Sequence, residues 1–172
     1  SAENKINYTV ATFKTTGIVD GQSVENLPKN VLDLRISHRF GPISSGAYNF
    51  FGLDNATMRL GFDYGITNNL MVGIGHSTYQ KTYDAFLKLK ILKQSTGAVN
   101  MPVTVSFVPT IAVNTLKQFD SVKTDFSDRV SSVFQLLIAR KFSEKFALQI
   151  MPTFIHADKI SFNHIKQNIF AI

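Results

Sequence analysis

An all-β, antiparallel transmembrane β-barrel is the fold class that the sequence predicts, and three observations predict it. Apolar and polar residues alternate along short segments, and turns and loops of alternating length join these segments. No stretch is apolar over the roughly 18 residues that a spanning helix needs, whereas a spanning strand needs only about 9–11 residues. The 172 residues are 44% apolar and 17% charged, which suits alternating strands.

The alternation is clearest in residues 32–40 and 58–64. Successive side chains of a strand point to opposite faces, so each segment would have one apolar face and one charged face. A soluble sandwich turns its charges to water and its apolar face to a core. Here the charged faces carry both signs, as in an outer-membrane barrel with lipid outside and a polar lumen inside. The apolar faces would hold Leu32, Leu34, Ile36, Met58, Leu60 and Phe62.

About eight strands are predicted after an N-terminal region. Residues 1–29 are predicted to be a leader or a lumen plug, because Gly17, Asp20-Gly21 and Pro28 interrupt any long element. Residues 30–172 would form the barrel, and because the last strand is short we expect this part to be incomplete at its C-terminus. The strands are predicted near 31–40, 57–67, 70–79, 83–93, 101–114, 129–142 and 146–156, with an eighth beginning near Gln167.

The connections between these strands alternate in length. Short polar turns are predicted near 67–69, 95–97 and 143–145, and longer loops at 41–56, 115–128 and 157–166, although the connection at 80–82 is short. Outer-membrane barrels combine short periplasmic turns with longer external loops. The same arrangement is therefore expected here.

Charged residues on the polar strand faces are the first candidate site. Two interpretations stay open: a constriction that selects solutes by charge, or a network of salt bridges that fills a narrow lumen. In a pore, Arg35, Arg59, Asp63 and Lys88 would determine selectivity. The residues expected to face the lumen are Asp33, Arg35, Arg39, Arg59, Asp63, Asp84, Lys88 and Lys90.

Apolar residues in the predicted external loops are the second candidate site. Aromatic groups of this kind suit contact with other outer-membrane or periplasmic proteins. Outer-membrane lipid is the other expected partner. Nucleic acid is not, because the net charge of +6 comes from Lys and Arg spread singly along the chain. The loop residues are Phe50, Phe51, Leu53, Phe119 and Phe126.

No catalytic residue, metal site or cofactor is predicted. The chain has no cysteine. Ser77 and Ser106 have no His and acid arranged as partners for hydrolysis. The spacing of the histidines does not match a metal-binding motif. These histidines are His38, His76, His156 and His164.

Several stretches carry a family resemblance. They are Thr12-Phe13-Lys14-Thr15-Thr16 continuing through Gly21-Gln22-Ser23-Val24-Glu25, then residues 32–41, 51–54, 59–67 and 81–88. Together they resemble an uncharacterised family of β-barrel proteins from Bacteroidetes-type bacteria. The resemblance covers roughly residues 10–95 well and the remainder in general pattern. It implies an exported barrel in the outer membrane of a Gram-negative bacterium, with members longer than this chain and no established catalytic residues.

These observations predict a non-enzymatic outer-membrane barrel. Its role would be porin-like or structural, or that of an accessory subunit in an envelope complex. The alternative is a soluble, lipocalin-like barrel that binds a small hydrophobic ligand. That alternative requires the apolar strand faces to point inward.

Overall fold

The structure of the chain is a computed structural model. It describes residues 5–18, 21–41, 44, 46–48, 53, 56–116, 126–157 and 167–172. No helix in these ranges is long and apolar enough to cross a membrane. Short 3-10 turns at Tyr79–Lys81 and Phe126–Arg129 lie between strands.

The secondary structure of the described ranges consists mainly of β-strands. They are β1 (Ile6–Tyr8), β2 (Gly17–Ile18), β3 (Gly21–Gln22), β4 (Leu32–Arg39), β5 (Thr57–Thr67), β6 (Leu70–Ser77), β7 (Thr82–Leu92), β8 (Ser95–Gly97), β9 (Thr104–Asn114), β10 (Val130–Lys141), β11 (Ala147–Ile150), β12 (Thr153–Ala157) and β13 (Gln167–Ala171). The predicted all-β fold is confirmed.

Nine strands form one antiparallel sheet. Its order is β13-β12-β10-β9-β7-β6-β5-β4, with β11 also paired to β10. Strands that are neighbours in the sheet also follow one another in the chain, if the short β8 and β11 are left aside. Hairpin connections therefore join them. Within the described residues the sheet is open, with β4 and β13 at its two edges.

The hairpin order sorts the connections to opposite ends of the sheet. Strands β5, β7 and β10 end at one end of the sheet, here called the short-turn end, and strands β4, β6, β9 and β12 end at the other, the long-loop end. The predicted strand positions agree with the observed ones to within a few residues, with one exception. The single strand predicted over 146–156 is wrong, because it breaks at Met151-Pro152 into β11 and β12. Pro152 has no amide hydrogen for the sheet, and its carbonyl accepts a hydrogen bond from the Leu136 amide at 3.0 Å.

The alternation of side chains has the orientation that a membrane barrel requires. Leu34 is 55% exposed and Phe62 is 42% exposed, although both lie within sheet strands. Leu60 and Leu87 are exposed on the same face. The opposite face, here called the inner face, is covered by the N-terminal segment, which we define as residues 10–29. The inward apolar faces that a lipocalin-like barrel needs are therefore not observed for these strands.

The N-terminal segment enters and leaves at the short-turn end. Strand β1 pairs with β8 there, with Tyr8 opposite Ser95. The segment then makes the small β2–β3 hairpin over the inner face. It returns to the start of β4, where the Asn30 amide donates to the Gly65 carbonyl at 2.7 Å.

Apolar as well as polar side chains cover the inner face. Val24 of the N-terminal segment is fully buried and contributes to one cluster with residues from four sheet strands. Phe13 and Leu27 of the same segment pack against this cluster. Burial of large apolar side chains contributes about 1.5–3 kcal/mol each, so the segment is held by the hydrophobic effect as well as by hydrogen bonds. The sheet residues of the cluster are Met71, Phe86, Val108, Leu137 and Ala139.

Candidate functional site: the inner face and the N-terminal segment

The first group of charges lies on the paired strands β4 and β5. Asp33 and Asp63 are directly opposite each other in the register, and like charges in that arrangement repel. Arg35 lies beside both, with its guanidinium 3.2 Å from the Asp33 carboxylate and 3.7 Å from that of Asp63. The arginine offsets this repulsion, and Asp63 depends on it more than Asp33 does, because Asp63 is only 2% exposed and is poorly solvated.

A second ion pair crosses an intervening strand. Arg59 of β5 binds Asp84 of β7 through two hydrogen bonds, of which the bond from Nε to Oδ2 measures 2.9 Å. Strand β6 lies between them and contributes Gly75, whose added Cβ would fall 2.3 Å from the Arg59 guanidinium. Glycine at this position therefore leaves the space that the arginine side chain occupies. Bidentate pairs of this type are among the stronger charged contacts in proteins.

Lys88 joins the sheet to the N-terminal segment. It is completely buried, and its ammonium group donates to three backbone carbonyls of the segment. The distances from Nζ are 3.1 Å to Thr16, 3.1 Å to Ser23 and 2.9 Å to Glu25. An ammonium group has three N–H donors, so all of them can be used in this contact.

Glu25 makes a second connection between the segment and the sheet. Its Oε2 lies 3.6 Å from the ammonium of Lys90. Its Oε1 accepts the backbone amide of Thr12 at 2.7 Å. Glu25 therefore binds both Lys90 of the sheet and the backbone of Thr12 in its own segment.

Gln149 of β11 makes the third connection. Its side-chain amide donates to the Gln22 carbonyl at 2.8 Å and accepts from the Val24 amide at 3.0 Å. Sequence reasoning missed this residue, although a lone amide among the exposed apolar residues Leu148 and Ile150 was a usable signal. Ser23, which is fully buried, was also missed, because it lies in a region without a recognisable strand pattern.

A cavity of about 1340 Å³ remains between the segment and the inner face. Arg39, predicted to face the lumen, lies exposed at the end of β4 and lines this cavity. Lys14 and Thr16 line it from the side of the N-terminal segment. The eight predicted charges are thus divided: Asp33, Arg35, Arg39, Arg59, Asp63 and Asp84 line the cavity, and Lys88 and Lys90 contact the segment.

The second predicted site falls on loops that the structure describes only in part. Leu53 is 47% exposed and Phe126 is 72% exposed. Phe50, Phe51 and Phe119 lie outside the described residues. Partner contact by this group stays a prediction.

Substitution of Gly65 is expected to displace the N-terminal segment where it leaves the inner face. An added Cβ would lie 2.1 Å from the Pro28 carbonyl oxygen and 2.8 Å from that of Leu27, and backbone atoms cannot rotate away. We expect Gly65→Ala to lower the free energy of unfolding by about 1–3 kcal/mol, as overpacked sites do. Urea titration in detergent micelles measures the free energy of unfolding of the variant and of the natural chain.

Gly61→Ala is the matched control, because its Cβ would meet only the end of the Arg59 side chain, at 2.6 Å. Equal losses from the Gly65 and Gly61 variants would contradict the role of Gly65 in seating the segment.

Comparison with known proteins places this fold in a family. No curated protein and no solved structure matched the chain. The model of one family, described as a membrane-bound β-barrel domain (DUF5777), matches residues 13–172. The family likeness therefore extends well beyond the residues 10–95 on which the resemblance was first based. The chain belongs to this family of membrane-bound β-barrel domains.

Proposed function

We propose that the chain is a non-enzymatic barrel of the outer membrane of a Gram-negative bacterium, whose lumen is obstructed at rest by residues 10–29. The buried ammonium of Lys88 carries this proposal, because all three of its hydrogen bonds go to that segment. The barrel is then structural in its resting state and becomes porin-like only if the segment moves.

The energetics of the inner face support an obstructed lumen. Removal of the segment would leave the ammonium of Lys88 without its three acceptors and would uncover apolar side chains such as Met71 and Leu137. Water would have to replace these acceptors, and the exposure of large apolar side chains costs about 1.5–3 kcal/mol each.

Cysteine labelling tests the position of the segment, because the natural chain has no cysteine. Ser23 is fully buried between segment and sheet, whereas Lys14 is exposed. We expect Ser23→Cys to resist a water-soluble maleimide in the folded barrel and Lys14→Cys to react at once. Each variant carries one thiol in the same segment, at a buried position in the first and at an exposed position in the second. Rapid labelling of both would refute the obstructed lumen, and large, steady conductance of the unmodified chain in planar bilayers would refute it independently.

Porin-like passage is a second candidate, and the charged cavity favours it. Arg59 and Asp84 lie on its wall as an ion pair. If solutes pass this pair, Arg59→Glu should shift single-channel preference toward cations, because it replaces a positive group with a negative one. Reversal potentials in a salt gradient measure the preference.

The double exchange Arg59→Glu with Asp84→Arg is the control, because it restores one charge of each sign. We expect it to recover most of the original preference. Unchanged selectivity in the single variant would leave only the structural role.

Association with other envelope proteins is the third part of the proposal. The exposed side chains of Leu53 and Phe126 support it, since exposed apolar groups in loops suit protein contact. Partner protein that remains bound to the chain in mild detergent, and is lost from a Leu53→Ser and Phe126→Ser variant, would support it.

A further inference from the structure

Two basic side chains at the short-turn end lie against exposed aromatic rings. The Lys93 ammonium is 5.1 Å from the centre of the Tyr8 ring, and the Arg140 guanidinium is 4.9 Å from that of Phe142. The Phe142 ring in turn lies 5.5 Å from that of Phe146. These five residues are here called the basic aromatic cluster.

The two basic residues each precede a residue of one hydrogen-bonded pair at the short-turn end. The Gln94 side chain donates to the Lys141 carbonyl and accepts from the Lys141 amide, both at 2.9 Å. Lys93 precedes Gln94, and Arg140 precedes Lys141. This reciprocal pair therefore holds the chain just after β7 against the last residue of β10, so that the two basic residues lie at the same end of the sheet.

Neither cation is neutralised by a carboxylate within the part of the chain that the structure describes. The nearby acid Glu144 is bound to Lys141 at 3.1 Å. Tyr8, Phe142 and Phe146 are each more than half exposed. Aromatic residues at the strand ends of membrane barrels lie at the level of the lipid headgroups, and Lys and Arg extend toward that level.

We propose that the basic aromatic cluster binds the phosphate headgroup of an anionic phospholipid in the leaflet at the short-turn end. Lys93 and Arg140 would supply the positive charge, and the rings would pack beside the upper acyl chain and glycerol. The proposal depends on membrane insertion of the strands and not on the N-terminal segment, so an unobstructed lumen would leave it unaffected.

Lipid selectivity of the reconstituted full chain tests this. The chain is placed in phosphatidylcholine bilayers with spin-labelled phosphatidylglycerol or spin-labelled phosphatidylcholine, and electron paramagnetic resonance gives the fraction of each label bound to protein. We expect the chain to prefer phosphatidylglycerol. Each cation should raise this preference by a factor of up to about five. Lys93→Gln with Arg140→Gln should remove most of it.

Two controls separate a lipid site from general positive charge. Lys81→Gln removes an exposed cation at the long-loop end and should leave the preference unchanged. Lys93→Arg with Arg140→Lys keeps both charges and should also leave it unchanged. If the double glutamine variant does not fold, the lipid preference of the natural chain is measured at rising salt concentration instead. A preference that depends on charge should fall as salt rises. No preference in the natural chain, or one that survives loss of both cations or high salt, would overturn the proposal.

Discussion

Lys88→Met is expected to release the N-terminal segment from the sheet while the outward face stays intact. Methionine fills a similar volume but donates no hydrogen bond, so the carbonyls of Thr16, Ser23 and Glu25 would lose their buried donor. A buried acceptor that is left without its donor costs about 1–3 kcal/mol, and three carbonyls would lose theirs. Limited trypsin digestion in micelles measures the release, because a freed segment exposes its peptide bonds.

Lys145→Met is the matched control for this result. Lys145 lies exposed in the turn between β10 and β11, and loss of an exposed charge changes stability little. We expect rapid cleavage within residues 10–29 for the Lys88 variant alone. A Lys88 variant as resistant as the natural chain would mean that the apolar cluster around Val24 is sufficient to hold the segment.

Phe62→Arg is expected to prevent or strongly weaken insertion into a bilayer. Phe62 lies near the middle of β5 on the exposed face. An arginine at the middle of the lipid-facing surface costs about 2–4 kcal/mol, and the cost falls to about 0–1 kcal/mol near the interfaces. Unfolding by urea in lipid vesicles measures the difference between the variant and the natural chain.

Ile66→Arg is the control on the same strand and the same face. Ile66 lies one residue from the end of β5, at the short-turn end, so its arginine can reach the headgroups. We expect it to cost much less than the substitution at Phe62. Equal costs at the two positions would show that depth in a bilayer does not govern this face, and would argue against membrane insertion.

The sheet could be predicted from the sequence because each strand has two different environments. In β5, residues that alternate along the strand face either lipid or the inner face, and that difference selects their side chains. In β7 the same alternation predicts that Lys88 and Leu87 lie on opposite faces, and in the structure Lys88 is buried while Leu87 is exposed. The short interruption between β11 and β12 was not predicted, since the alternation of side chains continues past Pro152 and both strands pair with β10 in one register.

The attachment of the N-terminal segment could not be predicted, for a different physical reason. The acceptors of the Lys88 ammonium are backbone carbonyls, and every residue type has such a group. The side chains of Thr16 and Ser23 therefore give no indication of this backbone contact in the sequence. The sequence predicts that residues 1–29 are a leader or a plug, but it does not indicate which strands they contact.

The contacts of the N-terminal segment also bear on the order of folding. The segment precedes the sheet strands in the chain, yet its bonds reach Lys88, 72 residues after Thr16, and Gln149, 127 residues after Gln22. Contacts at such separation form late, because long chain loops must close first. We expect the segment to be fixed last, after β11 has joined the sheet. Until that step the apolar inner face would be uncovered, and the half-assembled barrel would be at its most prone to aggregate.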